Sequence, residues 1–227
     1  LNDQVTSHTA SKLIFDLMSN KHDRIYLYLY TPGGSIVAGN KIITVMDTLI
    51  SQGKEIVCIA DFAASMGFGI FQACSERLVM PASQIMQHQM SLGVRGQVEN
   101  IRTLLNTTDE MYRELVVRQA ERIGMSYDDF MNKIAHDWWM YGDDTVLENA
   151  ADRTVHVSCT PELVSDTYEV EKQTIFGSEV HVYSRCPLIV APLEIRKATS
   201  AEVHMFNPFA KKDDDLIVDM PFLDVIY

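Results

Sequence analysis

In Ala63-Ala64-Ser65-Met66-Gly67 a single hydroxyl sits among small residues, where an apolar run gives way to a helix-like stretch. Small neighbours allow a tight strand-to-helix turn with the hydroxyl exposed. A helix start there favours developing negative charge. The placement has the geometry of a nucleophile elbow, although Gly-x-Ser-x-Gly itself is not matched. A serine at a helix start is more commonly an N-cap, and the two uses can coexist. A serine nucleophile needs a base that titrates near neutrality, usually histidine. His88, in Ile85-Met86-Gln87-His88-Gln89-Met90, is polar and flanked by glutamine within an apolar stretch. Most histidines are structural, so taken alone His88 is better explained that way. The other six (His8, His22, His136, His156, His181, His204) lack such a setting. Asp137 precedes Trp138-Trp139-Met140-Tyr141-Gly142. An acid beside bulky apolar residues can be partly buried and can orient an imidazole. With 31 acidic residues in the chain, chemistry alone does not select it.

Gly33-Gly34 follows a β-prone run, and adjacent glycines let backbone amides approach a ligand oxygen. Taken alone, the pair is better read as an ordinary βα turn. No Gly-x-Gly-x-x-Gly and no Lys-Ser/Thr follows it, so neither nucleotide fingerprint is met. No His-x-x-x-His pair or Glu-rich cluster suggests a metal.

The elements that must position these residues alternate. Residues 5–18 carry Ala10, Leu13, Ile14, Leu17 and Met18 at helical spacing. Ile25 to Tyr30 has no polar interruption and suits a strand buried on both faces. A second helix follows Ser35, and Ile56-Val57-Cys58-Ile59 marks a second strand. A short helix begins near Ser65, and Leu78 to Met80 makes a third strand. This β-α-β-α-β order predicts a parallel sheet with crossover helices. After a glycine-containing loop at 91–96, a helix of about 26 residues is expected over about 98–123. Ile101, Leu104, Leu105, Tyr112, Leu115 and Ile123 form its apolar side, and Gly124 stops it. Such a helix is long for one compact domain and is expected to project and cover its apolar side with a partner subunit. Ser126 caps a short helix to about Ile134.

The segment from 155 to 227 differs. It holds 12 acidic and 6 basic residues, net −6, half the charge of the chain in a third of its length. Alternation over 168–185 predicts a β-hairpin turning at Gly177-Ser178, with Ile189-Val190-Ala191 as a further strand. Val170, Ile175, Val180, Val182 and Leu188 give it apolar surface to dock with. Lys211-Lys212-Asp213-Asp214-Asp215 reads as a solvated turn. The expected division is therefore 1–154 and 155–227.

The whole chain has 227 residues, net charge −12 and a pI near 4.9. That disfavours nucleic acid or an anionic membrane as main partner. No apolar run reaches the 18–20 residues or so of a membrane helix. Cys58, Cys74, Cys159 and Cys186 are sparse and form no Cys-x-x-Cys, which suits a reducing compartment. The chain starts at Leu1 with neither Met nor a signal pattern, so a targeting segment could precede it.

Five blocks then fall in one order: a strand ending in Thr31-Pro32-Gly33-Gly34, Ala63-Ala64-Ser65-Met66-Gly67, Met86-Gln87-His88-Gln89, Leu92-Gly93-x-x-Gly96-Gln97, and Asp137 ahead of a Tyr-Gly helix start. Over roughly residues 5–154 this resembles the Clp protease proteolytic subunit (ClpP) family. The resemblance implies a ClpP/crotonase-like α/β fold and a serine endopeptidase cleaving unfolded polypeptides. It implies Ser65 as nucleophile, His88 as base, Asp137 as orienting acid, and the Gly34 and Met66 amides as oxyanion hole. Gly93 to Gln97, with Gly96, would lie beside the substrate strand. The helix at 98–123 would be the handle joining two heptameric rings. A separate AAA+ unfoldase would hydrolyse ATP. No cofactor or metal is implied. The setting would be cytoplasmic, or an organelle interior behind a transit peptide. A crotonase-type acyl-CoA enzyme shares the fold but has no use for the aligned serine, histidine and aspartate. A non-catalytic ring subunit usually loses one of the three. This chain departs from the family pattern at Thr31 for Ser, at Asp61 for a small polar residue, and at Met90 for the Pro after His-Gln. Its stretch between Ser65 and His88 is slightly short, and its C-terminal region is much longer.

Overall fold

A computed structural model of the chain describes residues 1–175 and 177–198, and the backbone of 223–226. It divides into two compact units, Leu1–His156 and Val157–Ile226.

The first unit opens with α1 (Ser7–Ser19), started by a reciprocal hydrogen-bond pair between Thr6 and Thr9. β1 (Arg24–Thr31), α2 (Ile36–Ser51), β2 (Glu55–Ala64), α3 (Met66–Gln72) and β3 (Glu76–Gln87) follow. β1, β2 and β3 pair in parallel, in that order. Their apolar runs explain the pairing: Ile25, Leu29, Ile56, Ile59, Leu78 and Val79 are all at most 3% exposed. β1 lies at the sheet edge, so its last aromatic, Tyr30, stays exposed while Tyr28 is buried.

The third strand is far longer than the Leu78–Met80 expected. Its ladder breaks between Val79 and Gln84, across Pro81, which has no N–H to donate. The Ser83 hydroxyl closes the break by donating to the Ala60 carbonyl, 2.6 Å, and accepting from the Met80 N–H, 2.7 Å. The sheet is also not purely parallel. β4 (Trp138–Tyr141) joins β3 antiparallel, where the sequence suggested only an approach to a helix. The two-residue β5 (Arg153–Thr154) pairs in parallel with Leu78–Val79, in the first part of β3.

Between β3 and β4 run α4 (Val98–Ile123) and α5 (Tyr127–Lys133). Gly124, at φ 83°, ends α4 in the left-handed conformation, and Ser126 caps α5 by accepting from the Asp129 N–H. All the buried residues of α4 fall in its last nine: Leu115, Val116, Gln119, Ala120 and Ile123. After β4, α6 (Asp144–Leu147) leads to Asp152, where the buried Arg77 is met. Its guanidinium donates to Asp152 Oδ1 at 2.7 Å and to Gln72 Oε1 and the Asn149 carbonyl. Arg77 is 2% exposed, so a full set of acceptors is what makes its burial tolerable.

β6 (His156–Cys159), which begins at the last residue of the first unit, pairs with β10 (Leu223–Ile226), and the second unit also contains α7 (Pro161–Ser165). β7 (Thr167–Thr174), β8 (Gly177–Ser184) and β9 (Glu194–Lys197) form an antiparallel sheet. The hairpin turn is displaced from Gly177-Ser178: Thr174 pairs with Gly177 and Gln173 with Ser178, so both are ladder residues. The added strand is Glu194–Lys197 and not Ile189-Val190-Ala191; Ile189 packs instead with Leu163, Cys186 and Leu188. Ile175 is 93% exposed and contributes nothing to packing. The expected turn at Lys211-Lys212-Asp213-Asp214-Asp215 lies outside the described residues.

All four cysteines are paired, Cys58 with Cys74 and Cys159 with Cys186. This removes the footing of the sparse-cysteine argument for a reducing compartment. No helix among the described residues is long and apolar enough to cross a membrane.

Candidate active site

Ser65 sits between β2 and α3 with φ 55° and ψ −118°. Ser65 and Asn149 are the two non-glycine residues with positive φ among those described. For a residue with a Cβ this conformation is costly and is kept only where surroundings enforce it. They do so here. The Ser65 N–H donates to the Met86 carbonyl at 2.9 Å, and its carbonyl accepts from the Gly69 N–H. The side chain makes no capping bond to α3, so the ordinary N-cap role is not the one it fills.

Glycines on neighbouring elements leave room for this turn. A Cβ on Gly33 would lie 2.7 Å from the Met66 nitrogen and 2.8 Å from the Ser65 Cβ. One on Gly39 of α2 would run into the Met66 side chain, 2.3 Å from its Cγ. The Gly33-Gly34 turn is therefore pressed against Ser65-Met66, and this closeness needs Gly33 as glycine. Val5 holds the turn from its other side: its N–H donates to the Gly33 carbonyl and its carbonyl accepts from the Ser35 N–H, both 2.8 Å. Gly34 itself is exposed.

A bulge precedes the turn. Leu29 pairs with Ala60 and Tyr30 with Phe62, so Asp61 is the extra residue of β2. Its carboxylate accepts from the Tyr28 hydroxyl at 2.9 Å. Burial, and then the Asp61 charge and bond, push the Tyr28 phenol up far enough to keep it a donor. The departure at Asp61 thus has a local use: Tyr28 anchors the bulge, and bulges next to such sites redirect the chain.

The register brings the other two residues to the same end of the sheet. Ala64 pairs with Met86, and His88 is the first residue past β3. Gln87 pairs with Trp138, so the antiparallel ladder carries Asp137 to the level of His88. His88 and Ser65 are half-buried. Asp137 is exposed, contrary to the partial burial expected beside its tryptophans, because it lies just outside the ladder. Among the described residues no hydrogen bond joins the side chains of Ser65, His88 and Asp137. Gly93, Gly96 and Gln97 lie on an exposed segment with no regular structure. Nothing stands within 4 Å of a Cβ placed on Gly93, so the chain itself does not press this segment onto the serine.

Sequence reasoning missed the polar contacts behind His88. The His88 N–H donates to Gln87 Oε1 at 3.0 Å, and Gln87 Nε2 donates to Gln119 Oε1 at 2.5 Å. Gln119 Nε2 donates to the Leu115 carbonyl at 3.0 Å. The signal was present: Gln119 is a polar residue on the buried stripe of α4, between Leu115 and Ile123. The Gln89 N–H donates to the Ile134 carbonyl, 3.1 Å, and the Met90 N–H to the Tyr112 hydroxyl, 3.3 Å. Burial pushes the Tyr112 phenol up, partly offset by that bond. Among the described residues no group of three or more His, Cys, Asp or Glu is placed to hold a metal.

A family model described as Clp protease matches residues 1–155 of the chain. Over 139 residues the chain is 33% identical to the ATP-dependent Clp protease proteolytic subunit 1 of Bacillus cereus, covering 60% of this chain and 69% of that protein.

Proposed function

Because the chain belongs to the Clp protease family and is thus a Clp-type protease, we propose that it is a serine endopeptidase whose nucleophile is Ser65. The observation that carries this reading is the forced positive φ of Ser65 at the β2–α3 junction, with its hydroxyl not used as a cap. In the proposed reaction the Ser65 hydroxyl attacks the scissile carbonyl while His88 takes its proton. His88 returns that proton to the leaving amine, and a water, deprotonated the same way, releases the acyl group. Asp137 orients the imidazole once a chain in the assembly or a substrate covers its exposed carboxylate. The Gly34 and Met66 amides face the developing oxyanion. Gly93, Gly96 and Gln97 pair with extended substrate, along a segment that is exposed among the described residues.

The relative's name, an ATP-dependent proteolytic subunit, supports two further parts of the reading. This chain would assemble with copies of itself, as stacked heptameric rings. It would receive polypeptide from a separate AAA+ unfoldase. α4 would be the handle between rings, since none of its first half is buried among the described residues.

A fluorophosphonate probe tests the serine directly. The full-length protein should label at Ser65, and Ser65→Ala should lose both labelling and hydrolysis of a fluorogenic peptide while keeping its assembly state. Peptide hydrolysis by Ser65→Ala within a few-fold of the parent would overturn the assignment.

A further inference from the structure

The stretch that carries His88 leaves its strand at Gln87, and from there it has no ladder to hold it. Three successive backbone N–H groups are nevertheless taken, each by a different part of the first unit. His88 gives its N–H to Gln87 Oε1, Gln89 to the Ile134 carbonyl and Met90 to the Tyr112 hydroxyl. Two of these three bonds lead to α4, one through Gln119 and one through Tyr112.

The glutamine pair is unusual for its position. Gln119 is 1% exposed and Gln87 6%, among apolar neighbours. Two buried amides cost desolvation, and a well-packed apolar pair would serve stability as well. What an apolar pair cannot do is accept a hydrogen bond from the His88 N–H. The amides run in one direction: Gln87 accepts at Oε1, so its Nε2 must donate to Gln119 Oε1, and Gln119 Nε2 must donate to Leu115. Every polar atom in the chain of bonds is used, and its far end is a helix carbonyl. Gln119 also lies over α3, because a Cβ on Gly69 would stand 3.7 Å from its Nε2. It thus sits between the helix that follows Ser65 and the strand that precedes His88.

We propose that Gln87, Gln119 and Tyr112 are positioning residues, which fix the backbone of residues 88–90 and so the direction from which the His88 imidazole meets the Ser65 hydroxyl. The proposal rests on His88 being the base. Tyr112 completes the clamp at Met90, whose N–H would otherwise be free to turn the segment.

Removing one glutamine would strand the other and confuse stability with position. The decisive variant is Gln87→Leu with Gln119→Leu, in which no buried amide is left unpaired; Tyr112→Phe is its companion, losing one oxygen. The full-length protein is labelled with a fluorophosphonate over a range of concentrations, separating the maximal labelling rate from half-saturation, with melting followed in parallel. A misplacement of about 1 Å costs up to ~100-fold in rate. The expected result is a maximal labelling rate roughly 10-fold or more lower in the double variant. Tyr112→Phe should lose less, and half-saturation and melting temperature should stay near those of the parent. A double variant that melts with the parent and labels at the parent's rate overturns the clamp while leaving the serine assignment standing. A parent that does not label at Ser65 overturns that assignment and the clamp with it.

Discussion

The two halves of α4 have little in common beyond a continuous backbone. From Leu115 to Ile123 the helix is part of the core, reaching Asp47 of α2 through Arg118, Asp152 through Arg122 and the His88 strand end through Gln119. Before Leu115 no residue is fully buried, although Tyr112 packs part-way against the core, and Val98, Leu104 and Leu105 are 64%, 49% and 43% exposed. Helices of this length in a compact domain are normally covered along one full face. The apolar stripe continues past the core to a face that no described residue covers. The sequence shows the stripe but not where the covering stops, because Leu104 and Leu115 occupy equivalent places in the pattern.

The comparison breaks most severely at Leu115. The side chain is 7% exposed and packs in the main core beside Val116 and Ala120. Leu115→Ala should cost about 2–5 kcal/mol through lost burial and the cavity left behind. In a chain of this size that is a melting temperature lower by roughly 5–15 °C. Calorimetry checks it, and a change within 1 °C or so would place Leu115 outside the core.

A smaller effect concerns Asp152, joined by Arg122 of the same half-helix at 3.5 Å and by Arg77. Burial alone would push its carboxyl up. The Arg77 side-chain and backbone hydrogen bonds, with the Arg77 and Arg122 charges, outweigh burial and hold it below the usual carboxylate range. A carboxyl held low in the fold and ordinary when unfolded binds fewer protons folded. Its contribution is therefore complete above about pH 4 and is lost as pH falls through the lower folded value. Melting temperature should drop over that acid range, and Asp152→Asn should flatten the drop while lowering stability near pH 7. An acid limb as steep in Asp152→Asn as in the parent would assign the effect to other carboxylates.

Part of this arrangement is legible in the sequence. The tight turn at Ser65 is legible because small residues on either side of it permit one at a strand-to-helix junction, although an N-cap explains a serine there equally well, and the three parallel strands follow from apolar runs too short for buried helices. Asp137 was different: its relation to His88 depends on a four-residue antiparallel strand, Trp138–Tyr141, whose register has no local signature. The Asp61 bulge and the Gln87–Gln119 pair are likewise products of long-range pairing. The disulfides join cysteines 16 and 27 residues apart, spacings that no motif marks. In the second unit Gly177-Ser178 has the chemistry of a tight turn. The ladder nevertheless runs through it, because pairing along the whole of β7 and β8 outweighs the preference of two residues.

The least effect on stability is expected where the comparison is most informative. Leu104→Asp with Leu105→Asp places two charges on a surface already open to solvent. Substitutions at such sites usually change stability by about 0.5 kcal/mol or less. The melting temperature of the first unit should therefore barely move, in contrast to Leu115→Ala. If the free half of α4 is the handle between rings, those charges would have to enter an apolar interface, where an unpaired charge is strongly opposed. Light scattering should then show a mass reduced to single rings or smaller species, and at low concentration a loss of fluorophosphonate labelling that follows the loss of mass. Together, unchanged melting and a fallen mass would locate the missing cover of α4 on another copy of the chain. An unchanged mass would mean that this half of the helix meets no second copy, and would overturn its role as the handle.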